Sequence, residues 1–162
     1  MHMLLAALSA VACGALGTLY SRRMSLRHRL IAAWDEALQR MEIAVLHGGA
    51  LGEILTAGAG EQLPLLRTAA EQLRLCPAME REAWLSALCW GDLLNPPDRE
   101  ILAAALMGLW AADREEQLRA LRYGQAQWRL ILETSRERQA RSAGLYSRLG
   151  WLAGAALFIL AC

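Results

Sequence analysis

The chain has 162 residues, 56% of them hydrophobic, with 17 arginines against 16 acids and a net charge of +1. It contains no lysine, which excludes a P-loop and Schiff-base chemistry. All the charges lie between Arg22 and Arg148, so a charged middle sits between two apolar ends.

The first apolar run, Met3–Tyr20, is 18 uncharged residues long, close to the roughly 20 that cross a bilayer core. A cleaved signal is the rival reading, since Ala10-Val11-Ala12 before Cys13 has the small residues of a cleavage site. A signal peptide, however, carries its positive charge ahead of the apolar run, and here the arginines follow it. The run is therefore expected to stay as an anchor over residues 1–21. Arg22, Arg23, Arg27 and Arg29 follow with no acid among them.

Leu26, Leu30, Ile31, Trp34, Leu38, Met41 and Val45 then recur at helical spacing, predicting one helix that continues out of the first span to about Leu46. Gly48-Gly49 ends it. A short helix with Leu51, Ile54 and Leu55 follows, then the broken loop Gly58-Ala59-Gly60. Pro64 opens a third helix carrying Leu66, Ala70 and Leu73 inward. Pro77 opens a fourth, with Trp84, Leu85, Leu88 and Cys89 on its buried side. Asn95-Pro96-Pro97-Asp98 is a stop and restart, and the fifth helix carries Ile101, Leu102, Leu106 and Leu109.

Asp113 followed by Glu116 is a capping-box pattern that starts the last helix at Arg114. Its ladder at 118, 121, 125, 128, 132, 135, 139 and 142 predicts a core face in the first half. The Ser/Ala half is too weakly apolar for an isolated coiled coil and is expected beside the first helix. Trp34, Trp84, Trp90, Trp110 and Trp128 are expected as bulky core fillers.

The closing run, Leu149–Cys162, has 14 residues, or about 21 Å as helix. It suffices as a span if it starts near Ala143, with Arg148 reaching to the headgroups and Tyr146 and Trp151 at the interface. Arg136, Arg138, Arg141 and Arg148 precede it against one acid, Glu137. Between these two basic collars, residues 30–135 hold nine arginines and fifteen acids. That domain is mildly acidic and offers no basic stripe for nucleic acid. The positive-inside rule places the bundle, residues 22–148, in the cytoplasm and both termini across the membrane.

Small residues at close-packing spacing, Ala10 with Gly14 and Gly150 with Gly154, suit the packing of the two spans on each other or on a neighbour, which leaves a homo-oligomer open. The expected fold class is all-α, a bundle of about six helices on a two-helix transmembrane stalk. Neither the three histidines nor the four cysteines show metal-ligand spacing. The cysteines read as buried hydrophobes, and a Cys76–Cys89 disulfide is not expected facing a reducing cytoplasm. No catalytic, cofactor-binding or metal residue is assigned, so an assembly role is expected and not an enzyme. The spans hold only Ser9 and Thr18 as polar interior candidates, too little for intramembrane chemistry.

The order of features resembles the stage III sporulation protein AB family of endospore-forming bacteria, over nearly the whole chain. The resemblance is strongest in Asp113-Arg114-Glu115-Glu116-Gln117 and in Tyr146-Ser147-Arg148-Leu149-Gly150-Trp151-Leu152-Ala153-Gly154. Glu42, Leu51 and the run Trp84-Leu85-Ser86-Ala87-Leu88 also fit it. Two departures concern local turns: Gly49-Ala50-Leu51 stands where the family has Thr-Pro-Leu, and Leu109-Trp110 where it favours Leu-Gly. The resemblance implies a bundle similar to the cytoplasmic domain of the type II secretion platform protein, the F component. It further implies a place in the channel between mother cell and forespore, in the outer forespore membrane. The implied partners are a secretion-type ATPase, stage III sporulation protein AA, and the other products of the same operon.

A generic bitopic scaffold, or a secretion or pilus platform unrelated to sporulation, would share the layout without those two runs. Within this reading Asp113, Glu115 and Glu116 are the first candidates for partner contact, although acids at a helix start are also favoured by the macrodipole alone. Glu80 and Glu82 form a second, weaker patch.

Overall fold

The computed structural model describes residues 2–75 and 93–142, together with Leu85, Leu152 and Ala156. Among the described residues there are five α-helices, one 3-10 turn and no strand. They are α1 (His2–Leu46), α2 (Leu51–Gly58), α3 (Pro64–Leu75), α4 (Pro96–Met107), a 3-10 turn (Gly108–Trp110) and α5 (Arg114–Ser142). The all-α expectation holds on these residues. The predicted fourth helix, with Trp84, Trp90, Cys76, Cys89, Glu80 and Glu82, lies outside them except for Leu85, which is helical and half-buried.

Each helix boundary has a local cause. At the end of α1 the chain enters positive φ at Gly48 (76°), where a Cβ would be strained. The Gly48 amide bonds the Val45 carbonyl at 3.0 Å and the Gly49 amide bonds that of Ala44 at 3.0 Å, which together make a Schellman stop. In α2 the Glu53 carboxylate reaches back to accept from the Ala50 amide at 2.9 Å. Pro64 and Pro96 stand first in α3 and α4, where a missing amide hydrogen costs nothing. At α4 one of the side chains flanking the prolines closes the helix start. The Asn95 side chain makes no cap bond, and the buried Asp98 carboxylate accepts from the Asn95 amide at 3.4 Å.

The chain divides into two compact units, one of Arg29–Glu133 and one of Met1–His28 with Thr134–Cys162. The core belongs to the first. Ile31, Trp34, Leu38, Met41, Leu55, Leu66, Leu102, Leu106, Leu121 and Trp128 are all at or below 1% exposed. The α1 stripe predicted from spacing is therefore buried from Ile31 to Val45. Leu26 is the exception at 52% exposed: five residues before Ile31, it points about 140° away around the helix.

Two glycines set how closely helices approach. A Cβ on Gly108 would land on Ala120, and one on Gly124 would sit 2.5 Å from the Cβ of Ala105. The α5 backbone therefore lies directly on α4 and its following turn. α2 returns over α1 in the same way, since a Cβ on Gly58 would strike the Met41 side chain.

In the other unit, the His28 imidazole and the Ser135 hydroxyl hydrogen-bond at 3.2 Å, which ties the two terminal segments together there. Among the described residues no helix is long and apolar enough to cross a membrane. The side chains of Ala10 and Gly14, and Gly150 and Gly154 altogether, lie outside the described residues.

Trp128→Ala should lower unfolding free energy by roughly 3–5 kcal/mol, as for a buried aromatic truncated in a core. Urea denaturation followed by far-UV circular dichroism measures it, and a loss below about 1 kcal/mol would mean the ring is not a core filler. Gly124→Leu should destabilise as well, by overpacking against Ala105.

Candidate partner surface on the last helix

α5 is held by the face that it turns toward α1. Three donors three residues apart on α5 reach α1 within the central unit. The Trp128 indole donates to the Ile31 carbonyl at 2.8 Å, the Gln125 amide to the Leu38 carbonyl at 3.0 Å, and the Arg122 guanidinium to the Glu42 carboxylate at 2.7 Å. Rising partner numbers on α1 meet falling numbers on α5, so the two helices run antiparallel. Gln125 also donates to the second Glu42 oxygen at 3.0 Å. It is a buried polar residue, only 6% exposed, and these two bonds satisfy the amide nitrogen that burial would otherwise penalise.

The start of the helix lies beyond these three contacts. Asp113, Arg114, Glu115 and Glu116 are all exposed, as expected of the acidic cluster. Gln117 instead turns back, its side-chain amide donating to the carbonyls of Leu109 at 3.0 Å and Ala111 at 2.8 Å. It thereby satisfies two carbonyls at the end of the preceding turn and fixes where α5 begins. The Gln117 amide bonds the Asp113 carbonyl at 3.1 Å, the first backbone bond of the new helix.

Beside the acids lies a shallow groove of about 640 Å³ lined by Glu115, Leu118, Arg119, Arg122 and Tyr123. Tyr123 is 66% exposed. The surface is thus acidic at its start, basic one turn on, and carries an amphipathic ring a turn beyond Arg119. Of the three candidate residues only Glu115 lines the groove; Asp113 and Glu116 flank it. Arg122 and Tyr123 were not legible as part of this surface from the acidic pattern alone. A usable signal existed in the spacing for Gln125 alone, a polar donor that precedes Trp128 on what spacing marks as a core ladder.

Glu42 is the charged anchor of the arrangement. The hydrogen bond from Arg122, against an opposing desolvation, holds its carboxyl below the usual carboxylate range, with Gln125 adding to the effect. Among the described residues no group of histidine, cysteine and acidic side chains is arranged to hold a metal ion.

The model of the stage III sporulation protein AB family matches residues 2–162. The chain belongs to that family, and with it to the stage III proteins of sporulation. No curated protein and no solved structure matches it.

Because the folded-state pKa of Glu42 is depressed, its contribution to stability is present above its unfolded value of about 4.3 and drains away as pH falls through the lower folded value. Glu42→Gln should therefore flatten the acid limb of a stability–pH curve below about pH 5. Urea midpoints measured across that range check it; an unchanged acid limb would mean that Glu42 carries no linkage. Arg122 is largely exposed, so the ion pair itself should contribute little.

Proposed function

We propose that this stage III sporulation protein AB family member is a membrane-anchored assembly subunit and not an enzyme. Its helical bundle serves as a platform, similar to the type II secretion F domain, for a cytoplasmic secretion-type ATPase of the stage III sporulation protein AA type. It acts with the other products of the same operon in the channel between mother cell and forespore. It sits in the outer forespore membrane, with the bundle on the mother-cell side.

The anchoring rests on the sequence: an uncharged run of 18 residues at one end, a shorter one of 14 at the other, and arginine collars on the inner flank of each. These collars favour a cytoplasmic middle. ATP chemistry is assigned to the partner because a chain without lysine has no P-loop.

The single observation that carries the docking reading is the exposed acidic start of α5 beside a groove that contains an exposed tyrosine. A charged patch around an aromatic anchor suits a steered contact with a basic partner surface. Charge alone has a simpler cause, since acids stabilise a helix N-terminus with no partner present.

The double substitution Glu115→Lys with Glu116→Lys separates the two. As an interface effect, it should abolish co-purification with the ATPase while the melting temperature barely moves. Wild-type binding should then weaken as salt is raised. As a helix-start effect alone, it should cost about 1 kcal/mol and leave binding intact. Normal binding by the reversed protein at low salt would dismiss this face and turn attention to the loop at 58–62.

A further inference from the structure

The terminal unit gathers two stretches of arginine that are far apart in sequence. It consists of residues up to His28 and from Thr134 onward, and His28 meets Ser135 at 3.2 Å. The contact lies where the first segment ends and the second begins. Two helical segments that leave one contact and remain in one compact unit run alongside each other in opposite chain directions.

That register sets Arg27 level with Arg136 and Arg22 level with Arg141. Arg22, Arg23, Arg27, Arg136, Arg138 and Arg141 therefore share a slab six residues tall on each helix, about 8 Å at helical rise. The headgroup layer of one leaflet is roughly 5–8 Å thick. The only acid among the described residues of the slab is Glu137, which is 3.6 Å from Arg141. All of the six except the half-buried Arg27 are exposed. The charge is felt locally: besides desolvation, Arg136 depresses the pKa of His28.

We infer that this slab is a binding collar for the phosphates of anionic phospholipids, with arginines from both ends of the chain engaging one ring of headgroups. Guanidinium groups match phosphate oxygens with two parallel hydrogen bonds. Each basic residue held near an anionic surface can favour it by roughly fivefold in affinity. A collar made from two helices does more than orient a span. It prefers anionic over zwitterionic lipid, and that preference holds the two ends at one depth. The inference rests on the membrane reading above.

The test uses the full chain reconstituted into vesicles of two parts phosphatidylcholine to one part phosphatidylglycerol. Lipid retained after gentle re-extraction is counted by mass spectrometry. The wild type should retain phosphatidylglycerol severalfold above its share of the vesicle, and less as salt is raised. R22Q/R136Q/R141Q should lose the enrichment, while R22K/R136K/R141K should keep most of it.

A wild type that resists carbonate extraction but retains the two lipids in vesicle proportion would overturn the collar and leave the anchoring intact. Release by carbonate would overturn both. If inorganic phosphate at millimolar concentration strips the enrichment as well as salt of much higher ionic strength does, the slab is a general anion site and the lipid reading fails. Should the glutamine variant not fold, salt sensitivity of the wild-type enrichment decides, and its absence overturns the proposal.

Discussion

The indole N–H of Trp128 is buried and must find an acceptor, and it finds the Ile31 carbonyl 2.8 Å away on a helix 97 residues earlier in the chain. An indole left unpaired in that core would cost the desolvation of its N–H, so the bond fixes one register of α5 against α1. Gln125 and Arg122, one turn and two turns back, then meet Leu38 and Glu42 in the same register. α4 and α2 pack on this pair, and α3 packs on α2. α4 approaches α5 closely enough to require Gly124 and Gly108, and α2 lies over α1 with Gly58 against the Met41 side chain. Part of the exposed face of α5 follows from the same constraint, because a helix that turns 122, 125 and 128 toward its partner presents 116, 119 and 123 elsewhere.

Much of this was legible in the sequence, for identifiable reasons. The apolar stripe from Ile31 to Val45 and the ladder from Leu121 to Leu132 are strictly periodic, and a periodic face buries. The stops at Gly48 and Pro96 are local chemistry that acts regardless of tertiary context. Leu26 keeps helical spacing to Leu30 yet is exposed, because spacing alone does not say where along a helix the packed face begins. The Asn95–Asp98 stretch was legible as a cap, but not that the Asp98 carboxylate accepts from the Asn95 amide, because cap preference does not say which of two neighbouring side chains makes the bond.

The candidate surface was legible in part. Acids at a helix start are read easily, and Asp113, Glu115 and Glu116 are exposed. What the pattern lacks is the companion groove, since Arg122 and Tyr123 join Glu115 only through the helical turn and the clamp to Glu42. Gln125 was read as one more step of a core ladder. Its two bonds, to a backbone carbonyl and to a carboxylate, arise from a chain segment more than eighty residues away, and nothing local announces them.

In the proposed function the bundle joins a membrane through two ends that cluster in one compact unit. Platform, lipid collar and ATPase docking all depend on the middle of the chain facing the cytoplasm. Thiol labelling tests that most directly: the four native cysteines are replaced, and Gly60→Cys is introduced in one chain and a cysteine at either terminus in two others. In a bacterial plasma membrane, an impermeant maleimide should label the terminal cysteines in intact cells and reach residue 60 only after permeabilisation. Labelling of residue 60 in intact cells would contradict the account.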